Sequence, residues 1–273
     1  MLRESFLEAL VAEDLGRGDL FARISTSKSI RAFIIAKSDG IFAGQEYVVT
    51  LAKMYGLSLE WKVNDGESFK KEKELLFVSG DSKIILSLER SILDMLLHAS
   101  SIATLTAQYV KAIADTGVKL LDTRKTRPLL RTFEKYAVRC GGGVNHRMGL
   151  DDCLMLKDTH LKTIDDLDSF MKEVRQKIPF TSKVEIECED LDMVQKAMKA
   201  GADIVMCDNM TIEKTKEVVA FRNKYFPHIL LEASGNVTLD TIREIAQTGV
   251  DAISSGSIIH QANWIDLSMR VGK

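Results

Sequence analysis

Proline is scarce in this chain, three in 273 residues, at positions 128, 179 and 227. That leaves no proline-rich linker, and helices run without their commonest interrupter. Cysteine is nearly as rare. Cys140, Cys153, Cys188 and Cys207 form no C-x-x-C pair, and three of them sit in apolar, strand-like runs. They read as reduced, buried small hydrophobes rather than a metal or redox centre. Charge of one sign is missing too: 37 Lys and Arg stand against 39 Asp and Glu, a formal net charge of −2. A near-neutral chain carries no global nucleic-acid footprint. No apolar run approaches the ~18 residues of a spanning helix. The longest stretch, Ser91–Val110, is broken by Asp94, His98, Ser100 and Ser101. The opening MLRESFLEALVAEDLG carries Glu4, Glu8 and Glu13 among helically spaced apolar residues. It is expected to be an amphipathic helix and no signal peptide, with a cytoplasmic protein as the default.

Hydrophobic residues at 45% and charged residues at 28% point to a folded globular chain. Two textures succeed one another. Up to about residue 80 the pattern is mixed. Ser29–Lys37 alternates as a strand, Glu46–Tyr55 reads as a helix, and Leu57–Val63 as a strand. Asn64-Asp65-Gly66 marks a turn, and Leu75–Val78 and Ile84–Leu86 read as short strands. A long helical stretch runs from Leu88 to Ala114, with a break expected near Ser100–Ser101. Beyond Lys119, short apolar runs alternate with amphipathic helical segments: Val118–Leu121, Cys153–Leu156, Val184–Ile186, Ile204–Cys207, Ile229–Leu231 and Ala252–Ile253. That alternation implies βαβ units and a parallel sheet. Six strands are visible, too few for a closed eight-stranded barrel.

The residues at the end of each run are more telling. The first run leads into Asp122-Thr123-Arg124-Lys125 and the second into Lys157-Asp158. The third carries Glu185 and Glu187, two residues apart and so on one face. The fourth ends at Asp208-Asn209, the fifth at Glu232-Ala233-Ser234-Gly235, the sixth at Ser254-Ser255-Gly256. Active sites of α/β barrels gather at these strand ends, with phosphate bound after the last strands. The loops Ser234-Gly235-Asn236 and Ser255-Gly256-Ser257 are expected to lead into helices and to offer backbone N–H groups to phosphate. His98, His228 and His260 lack zinc-ligand spacing and read as structural, while His160 is a weak site candidate. Met155, Met206 and Met210 read as core fillers.

The segment LDTRKTRPLLRTFEKYAVRCGGGVNHRMGLDDCLMLKDTH, Leu121–His160, resembles the quinolinate phosphoribosyltransferase family. The likeness continues through EDLGRGDL, ERSILDMLLHASSIATLT, KVEIECE, AGADIVMCDN, LLEASGNVT and TGVDAISSGSIIH. The resemblance implies an α/β fold class. An N-terminal α+β sandwich domain (1–107, with a connecting helix) would precede an incomplete, TIM-like α/β barrel (108–273). The C-terminal segment is a candidate to pack back on the first domain. It implies a glycosyltransferase of the pentosyl class in de novo NAD synthesis. Such an enzyme joins quinolinate to 5-phosphoribosyl-1-pyrophosphate (PRPP), giving nicotinate mononucleotide, pyrophosphate and carbon dioxide. Magnesium would accompany PRPP, with no organic cofactor.

By the same resemblance, Thr123, Arg124, His146, Arg147 and Lys157 hold quinolinate, and Arg90 comes from the neighbouring subunit of a homodimer. Assembly of such dimers into a hexamer stays open. Lys125, Lys157, Glu187 and Asp208 are the expected catalytic set. Glu187 and Asp208 also meet the ribose and magnesium, directly or through PRPP and water. Lys125, Ser234, Gly235, Asn236, Ser255, Gly256 and Ser257 join them on the PRPP side. No nucleic-acid or membrane partner is expected. Many relatives carry glycine at Ser101 and at Leu129, so loop detail there is open. Two other readings stand beside this one. One is another enzyme on the same scaffold, either a cousin with a different pyridine or purine-like acceptor or a class I aldolase with Lys157 as its Schiff-base lysine. The other is a non-catalytic PRPP-binding regulator.

Overall fold

The structure, a computed structural model, describes residues 3–272. It divides into two compact units. One holds the described residues up to Ala107, then Tyr136–Gly142 and those from Ala262 on; the other holds Gln108–Lys135 and Gly143–Gln261.

The first unit begins with α1 (Arg3–Leu15), α2 (Leu20–Ile24), β1 (Ser29–Ala36), β2 (Gly40–Ile41) and α3 (Gln45–Tyr55). Next come β3 (Ser58–Trp61), β4 (Ser68–Phe69), β5 (Glu74–Asp81) and the long helix α4 (Ser82–Ala112), whose residues from Gln108 on belong to the second unit. Asp19 caps α2 by accepting the Phe21 N–H. Gly56, at φ +68°, ends α3. The main sheet is antiparallel, in the order β12-β1-β5-β3, where β12 is Leu267–Val271. The C-terminal segment thus pairs with β1. Helix α4 corrects two expectations. Ile84–Leu86 is helical, because Ile85 opens the buried stripe Ile85, Leu88, Ile92, Leu96, Ala99, Ala103 at three- and four-residue steps. Three apolar residues alone do not distinguish strand from helix. Nor does α4 break at Ser100–Ser101. The Ser101 hydroxyl donates back to Leu97 O (2.5 Å) and accepts the Ile265 N–H (2.9 Å), so it bonds along the helix and ties the C-terminal segment to it.

The second unit is the α/β part. It runs β6 (Lys119–Leu121), α5 (Arg131–Cys140, whose first half lies in this unit), β7 (Leu154–Leu156), α6 (Asp158–Leu161) and α7 (Leu167–Lys177). Then come β8 (Val184–Cys188), α8 (Leu191–Lys199), β9 (Ile204–Asp208) and α9 (Ile212–Tyr225). Last are β10 (Leu230–Ser234), α10 (Ile242–Ala246), β11 (Ala252–Ser254) and α11 (Ser257–His260). All six expected strands are present, in one sheet ordered β6-β11-β10-β9-β8-β7, every pairing parallel. The sheet is therefore open between β6 and β7, where Val144 makes a single bridge to Leu121. This is the incomplete barrel.

Gly201 (φ +88°) and Gly249 (φ +95°) close the turns after α8 and α10, just ahead of β9 and β11. At the N-terminal end of the sheet, the buried Arg222 guanidinium donates to Ile229 O (2.8 Å) and to Asp251 (2.7 Å). Asp251 also accepts the Leu231 N–H (2.7 Å). This end is stapled by polar bonds and leaves the C-terminal strand ends for chemistry. Burial pushes the thiols of Cys140 and Cys207 up to about 12 and that of Cys153 up to about 11, and raises that of Cys188 as well. None is a thiolate near neutrality, as small buried hydrophobes require. Among the described residues no helix is long and apolar enough to cross a membrane.

Gly141 has no room for a side chain: a Cβ there would meet Ala103 O at 2.5 Å and Thr106 Cβ at 2.6 Å. Gly201 faces open space but holds φ +88°. Gly141→Ala is expected to cost about 1–3 kcal/mol through overpacking, and Gly201→Ala about 1 kcal/mol through backbone strain alone. Urea unfolding midpoints give the order, and a larger loss at Gly201 would contradict it.

Candidate active site

The site starts from a buried charge pair. Asp122, the first residue past β6, is fully buried, and so is Lys135 on α5, whose ammonium donates to it. The same carboxylate accepts the Asn145 side-chain N–H (2.5 Å) and the His146 backbone N–H (2.9 Å). Lys135 also donates to His146 O (2.8 Å), and Asn145 to Lys135 O (2.9 Å). Burial raises the Asp122 carboxyl and lowers the Lys135 ammonium, and each pulls the other back toward its charged form. One knot thus joins the Thr123–Lys125 loop to the Asn145–Arg147 loop. Thr123 Oγ1 accepts the Lys125 N–H (3.0 Å) and shapes the first of these. Leu129, 80% exposed, turns the chain toward α5 at φ +64°, a backbone state glycine adopts freely.

His146 points its Nε2 at two buried carboxylates, Glu185 on β8 (3.1 Å) and Glu232 on β10 (3.3 Å). The Arg147 N–H donates to Nδ1 (2.7 Å). Burial disfavours the imidazolium, but the two carboxylates outweigh it and push the ring up to about 10; the Arg147 N–H favours the neutral ring. Nε2 thus lies within ion-pair range of both carboxylates, while Nδ1 accepts from the backbone. Burial raises the Glu185 carboxyl, with Glu232 adding to it. The ligand-type atoms of this trio lie within 4.8 Å of one another, the compact metal-capable group among the described residues.

Arg147 is a cation in waiting. Its guanidinium is buried, donating to Cys153 O (2.9 Å) and touching Met155 Sδ (3.5 Å). Among the described residues no carboxylate lies in ion-pair range of it. Burial, and Arg124 after it, lowers its hold on the proton. Lys157, just past β7, pairs instead with Glu187. Its backbone N–H donates to His160 Nδ1 (3.0 Å), so His160 braces the start of α6.

These groups share one cavity of about 420 Å³ at the C-terminal ends of the strands. Thr123, Arg124, Lys125, His146, Arg147 and Lys157 line it, with Glu187, Asp208, Ser234, Gly235 and Asn236 on its other walls. A second cavity of about 240 Å³ shares Thr123, Lys125 and the Ser234–Asn236 loop, and adds Ser255, Gly256 and Ser257. Gly256 is needed for closeness: a Cβ there would lie 3.3 Å from both Lys125 Cδ and Thr123 Oγ1. The loop after β10 does not lead straight into a helix, since α10 begins only at Ile242. That loop offers its own N–H and hydroxyl groups rather than a helix N-terminus.

Arg90 belongs to the first unit. It lies on α4, with its side chain 59% exposed and an ion pair to Asp94 (3.3 Å). Asn209, Glu232 and Ser254, expected at strand ends but given no role, line the larger cavity together with Met155 and Met206, and Val237, Thr238, His260 and Gln261, unexpected there, line the smaller. His260, read as structural, is exposed on the second cavity. Met155 and Met206 are buried as expected, yet they also form cavity wall. Glu232, a lone acid inside the apolar strand Leu230–Ser234, was expected at the strand end, but its pairing with His146 was not.

Residues 19–100 match the family described as quinolinate phosphoribosyl transferase, N-terminal domain, and residues 102–270 match its C-terminal domain. The chain belongs to the quinolinate phosphoribosyl transferase family. A probable nicotinate-nucleotide pyrophosphorylase [carboxylating] of Synechocystis sp. is 37% identical over 98% of this chain and 92% of its own length. One from Methanothermobacter thermautotrophicus is 37% identical over 97% of each. Among solved structures, the nicotinate-nucleotide pyrophosphorylase from Francisella tularensis superposes with a TM-score of 0.91, at 33% identity over 100% of this chain and 98% of that one. Members of this family are thus similar to the chain over both of its parts.

Removing His146 strips two buried carboxylates of the partner they share. His146→Ala is expected to cost about 3–5 kcal/mol at neutral pH. The loss should shrink as pH rises through about 10, where the wild-type ring also gives up its proton and its pairing with the carboxylates. Denaturant unfolding across that range gives the answer; a loss independent of pH would contradict the pairing.

Proposed function

We propose that this chain is the carboxylating phosphoribosyltransferase: it transfers the phosphoribosyl group of PRPP to quinolinate and releases pyrophosphate and carbon dioxide. Its family membership supports the reaction. The observation that carries the site assignment is the unpaired positive charge. Arg124, Lys125 and Arg147 line one cavity, and none has an ion-pair partner among the described residues. Such a wall suits a ligand that brings its own negative charge. Quinolinate is a planar dicarboxylate, and a guanidinium fork meets a carboxylate with two bonds.

In this reading Arg124 and Arg147 hold the two carboxylates, with Thr123 and Lys157 beside them. His146 contributes charge and shape from the floor, because both its nitrogens are engaged. Lys125 faces the pyrophosphate, and the Ser234–Asn236 and Ser255–Ser257 loops hold the 5-phosphate by N–H and hydroxyl groups. Glu187 and Asp208 face the ribose. One Asp208 oxygen accepts from Asn209 Nδ2 (2.9 Å), and the other carries no bond from the described residues. A carboxylate with an open oxygen beside a pyrophosphate site fits magnesium, which takes one or two carboxylates plus phosphate oxygens. Glu187 and Asp208 would hold it with PRPP, and when bound it supplies charge neutralisation for the leaving pyrophosphate.

The chemistry is then set by charge. The pyridine nitrogen attacks the anomeric carbon as the bond to pyrophosphate breaks. Glu187 and Asp208 stabilise the positive charge growing on the ribose, and Lys125 meets the departing negative charge. The quaternised ring is an electron sink, so the neighbouring carboxylate leaves as carbon dioxide. The electron pair left on the ring carbon takes a proton from solvent. Lys157 needs no covalent role, since its ammonium is already paired with Glu187. We also propose a homodimer to which Arg90 brings a cation for the neighbouring subunit, and action in the cytoplasm, where charged PRPP is retained.

The test is to supply PRPP and magnesium with quinolinate, or with nicotinate in a parallel tube, and to measure pyrophosphate and carbon dioxide together. Equal release of both from quinolinate is the expected result. Pyrophosphate without carbon dioxide, or a preference for nicotinate, would overturn it.

A further inference from the structure

Strands β9 and β10 end side by side, Asp208 in register with Ser234. Just past this pair the backbone does something unusual. Asn209 takes φ +52° and Asn236 φ +50°, both left-handed, and Gly235, directly after β10, takes φ +99°. Asparagine tolerates this region better than most residues, but glycine would occupy it without strain. Non-glycine residues in such states are kept where the side chain is used.

The Asn209 side chain is used at both ends. Its Nδ2 donates to Asp208 Oδ2 (2.9 Å), and its Oδ1 accepts from Asn236 Nδ2 (3.2 Å). Its backbone N–H donates to Ser234 O (2.9 Å). Gly235 leaves the space this requires: a Cβ there would fall 2.1 Å from Asn209 Oδ1 and 2.9 Å from its backbone N. An amide is the side chain that fits, offering a donor to the carboxylate and an acceptor to the loop. Aspartate would face Asp208 with like charge, and alanine would make neither bond. Asp208, Asn209 and Asn236 all line the larger cavity.

We infer that Asn209 is a positioning residue that locks the Asp208 carboxylate to the Ser234–Asn236 loop, so that the acidic and phosphate-binding sides of the PRPP site move as one piece. The inference rests on the reading of this cavity as the PRPP site.

Asn209→Gly tests it, because glycine keeps the left-handed turn and removes only the amide. Calorimetry would measure PRPP binding with magnesium, and quinolinate binding separately. For loss of a hydrogen bond to a charged group, PRPP binding should weaken about 10- to 100-fold. Quinolinate binding and the unfolding temperature should stay near wild type. The Asn209→Gly/Asn236→Gly double variant should bind PRPP no worse than the weaker single variant, since both act through one bracket. Wild-type PRPP affinity in Asn209→Gly, or losses that add in the double variant, would overturn the inference alone. A wild-type protein that binds no PRPP would overturn both the inference and the reading of the site.

Discussion

Everything at the active end of this molecule hangs on the buried bond between Asp122 and Lys135. Burying two charges is costly unless each also finds neutral partners. Here the remaining bonding capacity is spent on the backbone and side chain of Asn145–His146. One interaction therefore sets two loops, and those loops carry Thr123, Arg124, Lys125, His146 and Arg147. Had the pair been replaced by packed apolar groups, the helix could still sit on the sheet, but nothing would fix the height of one loop against the other.

A second layer of control comes from the carboxylates beneath the cations. Glu185 and Glu232 hold the His146 ring, and Glu187 holds Lys157. Alternation along β8 explains the geometry, since Glu185 and Glu187 share one face two residues apart. Of the lysines and arginines that line the cavity, Arg124, Lys125 and Arg147 have no ion-pair partner among the described residues. Three unpaired cations thus line one cavity, in a chain whose net charge is −2. Local arrangement, not composition, decides its electrostatics.

Much of the second unit was legible in the sequence. Parallel strands buried on both faces read as short apolar runs, and the polar residues that close each run mark the functional end. The Ile84–Leu86 misreading came from a place where three apolar residues carried no period of their own. Arg124 and Lys125 were legible because they close the first apolar run, and His146 and Arg147 through the resemblance to the family. Their supports were not. Lys135 looks like one more charged residue on an amphipathic helix, and Asp122 like part of a polar loop, until the fold buries both. Asn209 was visible only as the residue after an acid, because its role lies in a backbone angle and in contact with a distant loop. Pairings between residues far apart in the chain leave no local trace.

The most direct test of this account is the quinolinate dissociation constant across a cycle of Asp122→Asn, Lys135→Met and the double variant, with circular dichroism to verify folding. The account predicts that each folded single variant binds quinolinate at least about 10-fold more weakly, as loss of one charge-assisted bond allows. The double variant should be no worse than the poorer single. Folded variants that bind quinolinate as tightly as the wild type would contradict it.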